Sequence, residues 1–266
     1  MPPVIQAAIL GVVQGVTEFL PVSSTAHLLI VGRMLGFDDP VFTIMIQLGS
    51  IVAVVWLYRR KLLEVLRGLP TDPSAQRFAL MLFVALLPAL VAGALLSGFV
   101  TRVLYRTLLV NAVTFVVGGI IILIVERSQK RPTVHHVDDT PVSTAFGIGV
   151  CQAIAIVPGV SRSGATIIGG LALGLDRTVA TEFSFFLAIP TLTAAFANSL
   201  WKVRHELTTA QTTNIVIGFV MAFISSALVI KPFLNYVRRS GFQAFAWYRI
   251  VAGLALAVAI AAGWGR

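Results

Sequence analysis

Six stretches, about 41–58, 77–99, 107–126, 178–201, 213–231 and 243–264, are apolar and long enough to cross a bilayer. Crossing the hydrocarbon takes about 20 helical residues. Inside it, every backbone N–H and C=O must be satisfied within its own segment, so each stretch is expected to be a helix. Composition agrees: 57% of the 266 residues are hydrophobic and 12% charged, against about 25% charged in a soluble domain. The expectation is an all-α polytopic membrane protein, one integral domain over 1–266. A net charge of +9 would point to nucleic acid in a soluble protein. Here Lys and Arg lie in short connections between apolar runs, the positive-inside pattern, so membrane lipids rather than nucleic acid are the expected surroundings. The single cysteine, Cys151, excludes an internal disulfide and a cysteine-based metal cluster. The N-terminus lacks the basic region and cleavage site of a secretory signal, so the first apolar stretch is expected to remain.

Two further segments are apolar but broken. Residues 4–20 and 25–35 are split by Pro21-Val22-Ser23-Ser24, and residues 143–157 and 163–174 by a cluster around Arg162. Each is expected to be a re-entrant helical hairpin, because the halves are short and the breaks carry proline and hydroxyls. The two segments match at an offset of 138 residues: Gly11 with Gly149, Gln14 with Gln152, Val22-Ser23 with Val160-Ser161, Leu35-Gly36 with Leu173-Gly174, and Asp38 with Asp176. The chain therefore reads as two repeats, about 4–126 and 143–264, joined by a polar loop at about 127–142. Three spans per unit is odd, so the second copy is expected to be inverted across the membrane. Twelve basic residues fall on one face: Arg59, Arg60, Lys61, Arg67, Arg77, Arg127, Lys130, Arg131, Arg177, Lys231, Arg238 and Arg239. Six fall on the other: Arg33, Arg102, Arg106, Lys202, Arg204 and Arg266. The richer face is assigned to the cytoplasm, with both termini outside.

The second break, Pro158-Gly159-Val160-Ser161-Arg162-Ser163-Gly164-Ala165-Thr166, reads as an anion site. An intramembrane arginine costs roughly 2.5 to 3.5 kcal/mol on insertion scales and usually serves a site. Its planar fork suits phosphate or carboxylate oxygens. Ser161, Ser163 and Thr166 add neutral donors, and a helix starting at about Ala165 would turn its positive end to the cluster. The first break supplies complementary groups, because hairpins entering from opposite faces can meet at their tips. Gln14 and Glu18 share a helix face, and Ser24 and His27 are near enough to meet. Glu18, Ser24, His27 and Arg162 are thus the candidate catalytic set, with Ser23, Ser161, Arg162, Ser163 and Thr166 for phosphate and Glu18 with Gln14 for a metal. These are the components of phosphoryl transfer.

Plainer roles compete at several positions. One of Ser23 and Ser24 is expected to cap the second half-helix, and His27 alone would read as structural. Glu182 is either an interface residue or the partner of Arg162. Arg249, near a span end, is expected to snorkel to the headgroups, and Gln47 is a helix-packing candidate first. His135, His136, Asp138 and Asp139 lie between Pro132 and Pro141 and read as a solvated loop.

Gln14-Gly15-Val16-Thr17-Glu18-Phe19-Leu20-Pro21-Val22-Ser23-Ser24-Thr25-Ala26-His27 resembles the first motif of the undecaprenyl-diphosphate phosphatase family, the bacitracin-resistance type. Pro158 to Thr166 is similar to its second, Pro-Gly-x-Ser-Arg-Ser-x-x-Thr, and the likeness extends along nearly the whole chain through Gln47-Leu48-Gly49-Ser50. The resemblance implies removal of the terminal phosphate from a C55 isoprenoid diphosphate lipid, with a divalent cation, Mg²⁺ or Ca²⁺. It implies a bacterial inner membrane and a site serving the periplasmic side. Some members carry two acids in the first motif where this chain has Gln14, so one carboxylate remains there for a metal. Ser24, His27 and water all stay open as the nucleophile, and a homodimer stays open as the assembly. The rival class is a secondary transporter or lipid flippase with an anion site at the midplane, which inverted repeats with broken helices also fit.

Overall fold

A computed structural model of the chain describes residues 1–37, 39–100, 108–128, 131–203 and 208–264. Among them it forms eleven helices: α1 Pro3–Thr17, α2 Ser24–Leu35, α3 Pro40–Leu57, α4 Arg59–Gly68, α5 Pro73–Phe99, α6 Leu108–Ser128, α7 Val142–Ile154, α8 Arg162–Ala172, α9 Arg177–Val203, α10 Thr209–Ser240 and α11 Gln243–Ala261. Five of these helices are long and apolar enough to cross a membrane, or six if α3 and its bent continuation are taken as one span. The protein is an all-helical, multi-pass membrane protein. Asp38, Arg102, Arg106, Lys130, Arg204 and Arg266, which entered the repeat match or the charge count, lie outside the described residues.

Both broken segments fold as short paired helices, α1–α2 and α7–α8. Ser23 and Ser161, matched in the repeat, carry the only positive φ values among described non-glycine residues, 67° and 77°. An L residue held there stores of order 1–3 kcal/mol, which persists only where surrounding structure dictates it. The matched Gly36 and Gly174 also have positive φ, 68° and 94°, where α2 ends and just past α8. Packing follows the same correspondence: α1 lies on α10, α7 on α5, α6 on α11 and α3 on α9. Gly11 and Gly149 perform one task in two places. A Cβ would come 2.4 Å from Gly218 O at Gly11 and 2.3 Å from Ala85 O at Gly149. Close backbone approach of this kind supplies much of helix association in lipid.

Two elements depart from the sequence expectation. The connection 59–76 contains α4, bent by 75° from α3. It carries Arg59, Arg60, Lys61 and Arg67 beside the exposed Leu63 and Leu66, the amphipathic make-up of an interfacial helix. Helix α10 continues past Lys231 and Pro232 to Ser240, because Phe233 and Val237 bury against the core beyond the proline. At the start of α5, Asp72 accepts from the Ser74 N–H and hydroxyl. These bonds hold its carboxyl below the usual range. In the polar loop Asp138 accepts from Lys61 at 2.7 Å, and His135 lies 3.6 Å from Asp176.

Candidate active site

The two hairpin tips meet. Ser163 Oγ donates to the Leu20 carbonyl at 2.7 Å, and Arg162 Nη2 donates to Glu18 Oε1 at 2.9 Å, joining residues 144 apart in sequence. The other carboxylate oxygen of Glu18 accepts from Ser24 Oγ at 2.6 Å and from Gln14 Nε2 at 2.8 Å. Helical spacing makes the Gln14 contact, and the reversal of the chain at Ser23 makes the Ser24 contact. The arginine is steadied from behind: Nη1 donates to the Ser184 carbonyl at 2.9 Å, while Thr166 donates to Ser184 Oγ at 2.7 Å. Its Nε is buried without an acceptor among the described residues.

Glu18, Ser23, Ser24, Ser161, Arg162 and Ser163 all line one cavity of about 390 Å³, which extends between α5, α7 and α9. The N-termini of α2 and α8 both face it, so the positive ends of two helix dipoles converge where Arg162 adds its charge. Helix α8 starts at Arg162 rather than Ala165 and is capped by Ser161, whose Oγ accepts from Gly164 N at 3.0 Å. The cap expected on α2 is absent. Ser23 makes no such bond, and the Ser24 hydroxyl turns to Glu18 instead.

Not every expected residue joins. His27 bonds neither Ser24 nor Glu18 among the described contacts. Its Nδ1 is 2.8 Å from the Ser23 carbonyl and its Nε2 2.5 Å from Tyr248 Oη, with the Tyr248 ring stacked against it. A carbonyl only accepts, so Nδ1 carries the hydrogen and Nε2 takes the phenol proton. Thr166 lies behind Arg162 and does not line the cavity. Gln14 also acts from behind, orienting Glu18. Glu182 is not the partner of Arg162; it accepts from Tyr58 Oη at 3.1 Å. Gln47 lines the cavity, while the neighbouring Gly49 makes the close packing, against Phe219 O.

Arg249 corrects the snorkelling expectation. It is 1% exposed. It donates to five carbonyls: Pro21 at 3.1 Å, Gly159 at 2.9 Å, Val160 at 2.9 Å, Thr114 at 2.8 Å and Phe115 at 3.4 Å. Pro21 and Gly159 are equivalent at the 138-residue offset, so one side chain holds the same point of both tips. The breaks expose carbonyls that no helix ladder satisfies, and a five-donor fork placed between them outweighs the pull of the headgroups. Ser184, Tyr248 and Gln152, absent from the expected site residues, also stand at this network or its cavity. The match of Gln152 to Gln14 was the available signal.

Among the described residues no three His, Cys, Asp or Glu side chains gather, so a divalent cation here would have one carboxylate and one amide oxygen from the protein. Gln14 Oε1 is buried without a donor, and Glu18 Oε1 has a lone pair beyond the one Arg162 uses. Mg²⁺ commonly takes one or two carboxylates and completes its shell with waters and substrate phosphates.

The geometry defines a class: a helical membrane protein in which two broken helical segments gather an arginine, a carboxylate and several hydroxyls in one cavity. The family model for bacitracin resistance protein BacA matches residues 7–255. The chain is 47% identical over 262 residues to the undecaprenyl-diphosphatase of Paracoccus denitrificans (strain Pd 1222), covering 98% of each. It is 50% identical over 250 residues to that of Rhizorhabdus wittichii, covering 93% of this chain and 94% of the relative. It is also 46% identical over 252 residues to undecaprenyl-diphosphatase 1 of Agrobacterium fabrum, covering 94% of each. The chain belongs to the BacA family.

Proposed function

We propose that the protein is a membrane phosphatase that hydrolyses undecaprenyl diphosphate to the monophosphate and phosphate, recycling the lipid carrier of cell-wall synthesis. The observation that carries this is Ser24 Oγ held 2.6 Å from Glu18, with Arg162 on the same carboxylate, in one cavity. A carrier needs binding groups but no hydroxyl paired with a base, and the relatives' names favour the hydrolase over the transporter or flippase.

In this reading the terminal phosphate seats against the N-termini of α2 and α8. Arg162 donates through its free Nε and stabilises charge developing on the transferred group. Ser24 attacks phosphorus as its proton passes to Glu18; the Ser24 O–P bond forms and the anhydride P–O bond breaks, leaving the lipid monophosphate. Water then hydrolyses the phosphoserine, returning the proton to Ser24. His27 acts through the Ser23 carbonyl, steadying the turn that presents Ser24. Glu18 and Gln14 Oε1 would hold Mg²⁺ or Ca²⁺, which when bound supplies positive charge to the phosphate oxygens. The two units are taken as inverted repeats, because the paired serine dihedrals and exchanged helix packing suit that symmetry. The cavity runs toward the end of α9 near Lys202, the face poor in basic residues, which favours a periplasmic opening in the inner membrane.

The test is phosphate release from an isoprenoid diphosphate by the purified protein in detergent, where compartments vanish and only chemistry registers. Turnover that disappears in Ser24→Ala and Arg162→Ala supports the reading. Absence of release by the unaltered protein, with Mg²⁺ or Ca²⁺ supplied, overturns it.

A further inference from the structure

Arg162 and Glu18 occupy one part of the cavity. Most of the remaining polar lining belongs to α7 and α9, with Thr25 of α2 and Gln47 of α3, and has no role in the network above. Gln152 of α7 is 3% exposed. Its Nε2 has no acceptor among the described residues. Thr191 approaches its carboxamide at 3.4 Å, but the one hydroxyl proton of Thr191 is directed at Leu187 O, 2.7 Å away. A buried amide donor left unmade is costly, and such groups commonly mark a ligand or water position.

The repeat explains why this donor is free. Gln14 finds Glu18 four residues on, whereas Gln152 finds Ile156. The amide that serves a carboxylate in the first unit faces the cavity in the second. On α9, Ser184, Thr191 and Asn198 are each seven residues apart, nearly one face of a helix and about 10.5 Å per step. Thr191, beside Gln152, stands one step from the serine that holds Arg162, and Asn198 lines the cavity a further step out, about 21 Å from that serine. Across from it Gly93 of α5 presents no bulk, and a Cβ there would meet nothing within 4 Å.

We propose that Gln152 forms a neutral subsite for the lipid-proximal phosphate, the phosphate ester that diphosphate substrate and monophosphate product share. Arg162 and its neighbours then take only the terminal phosphate. A neutral donor suits this position, since a second cation would hold the product as firmly as the substrate. The opening beside Gly93 leaves room for the first isoprene units to pass toward lipid. The inference rests on the diphosphate reading above.

Two variants test it, Gln152→Leu and Gln152→Met, in purified detergent-solubilised protein. Met keeps the length of the glutamine side chain without its donor, so its variant probes the subsite while keeping the core filled. For each we expect KM for an isoprenoid diphosphate and the inhibition constant of the matching monophosphate to rise together, by about tenfold. The expected change in kcat stays within about threefold, the pattern of lost uniform binding. Unchanged constants, a loss confined to kcat, or a rise in KM without a rise in the monophosphate constant would overturn the assignment. Thermal stabilisation by the monophosphate lipid separates this from the catalytic reading. If the unaltered protein releases no phosphate yet is stabilised, and the variants are not, the subsite stands while the hydrolase reading falls. Equal stabilisation of all three proteins removes the subsite.

Discussion

Replacing Arg249 by methionine, similar in reach and uncharged, removes the link between the hairpin tips. Of the five carbonyls it holds, those of Thr114 and Phe115 lie within α6 and keep their ladder partners. Those of Pro21, Gly159 and Val160 lie in the breaks and have no other hydrogen-bond donor among the described contacts. Each orphaned buried carbonyl costs about 1–3 kcal/mol, or about 3–9 kcal/mol for three. Relief from burying a guanidinium offsets several kcal/mol of this. A net loss of about 2–4 kcal/mol remains, roughly 5–15 °C in melting temperature for a chain of this size. The tips also lose their fixed separation, and with it the placement of Ser24 against Arg162. Displacement of about 1 Å can cost of order a hundredfold in rate. Thermal unfolding in detergent with phosphate release at a temperature where both proteins remain folded reads the two effects separately. Arg249→Lys, whose ammonium can reach two or three of the carbonyls, should recover part of both. An Arg249→Met protein with unchanged melting and turnover would refute the clamp, as would loss of stability with full kcat in the folded fraction.

Further outcomes follow from other contacts. Glu18→Gln and Arg162→Gln should each lower turnover by on the order of 10²–10³, and the double variant should fall far short of the product of the two, as measured by a double-mutant cycle. Arg162→Lys should recover little, because a point charge cannot hold Ser184 and Glu18 in one plane while offering a third donor to phosphate. Gly241→Ala should lower the melting temperature sharply, since φ there is +69° and a Cβ would stand 1.8 Å from Glu126 Oε1; that carboxylate is already engaged by Arg177 at 2.8 Å and Phe242 N at 2.6 Å. A cysteine at residue 70 should be labelled from the cytoplasmic side of inverted vesicles and not from outside intact cells.

The sequence by itself determined the elements and the chemistry available to them. Long apolar stretches admit one backbone solution in lipid, so α5, α6, α9 and α11 were legible to within a few residues. The two breaks were legible as well, because proline and clustered hydroxyls inside an apolar run are too costly to be incidental. Their identity in register exposed the shared turn at Ser23 and Ser161 before any backbone angle was visible. Tertiary structure decided which polar groups meet. His27 and Ser24 share a helix, yet the left-handed turn at Ser23 sends Ser24 back to Glu18, while His27 extends to Tyr248, 221 positions away. Arg249 reads as a snorkelling residue because spacing along one helix says nothing of carbonyls on α6 and in the two breaks. Gln152 looked like the copy of Gln14, but the difference between Glu18 and Ile156 leaves its donor facing the cavity. The physical reason is common to these cases. Periodicity reports which face of a helix a side chain occupies, whereas hydrogen bonds depend on which unsatisfied group packing brings against that face.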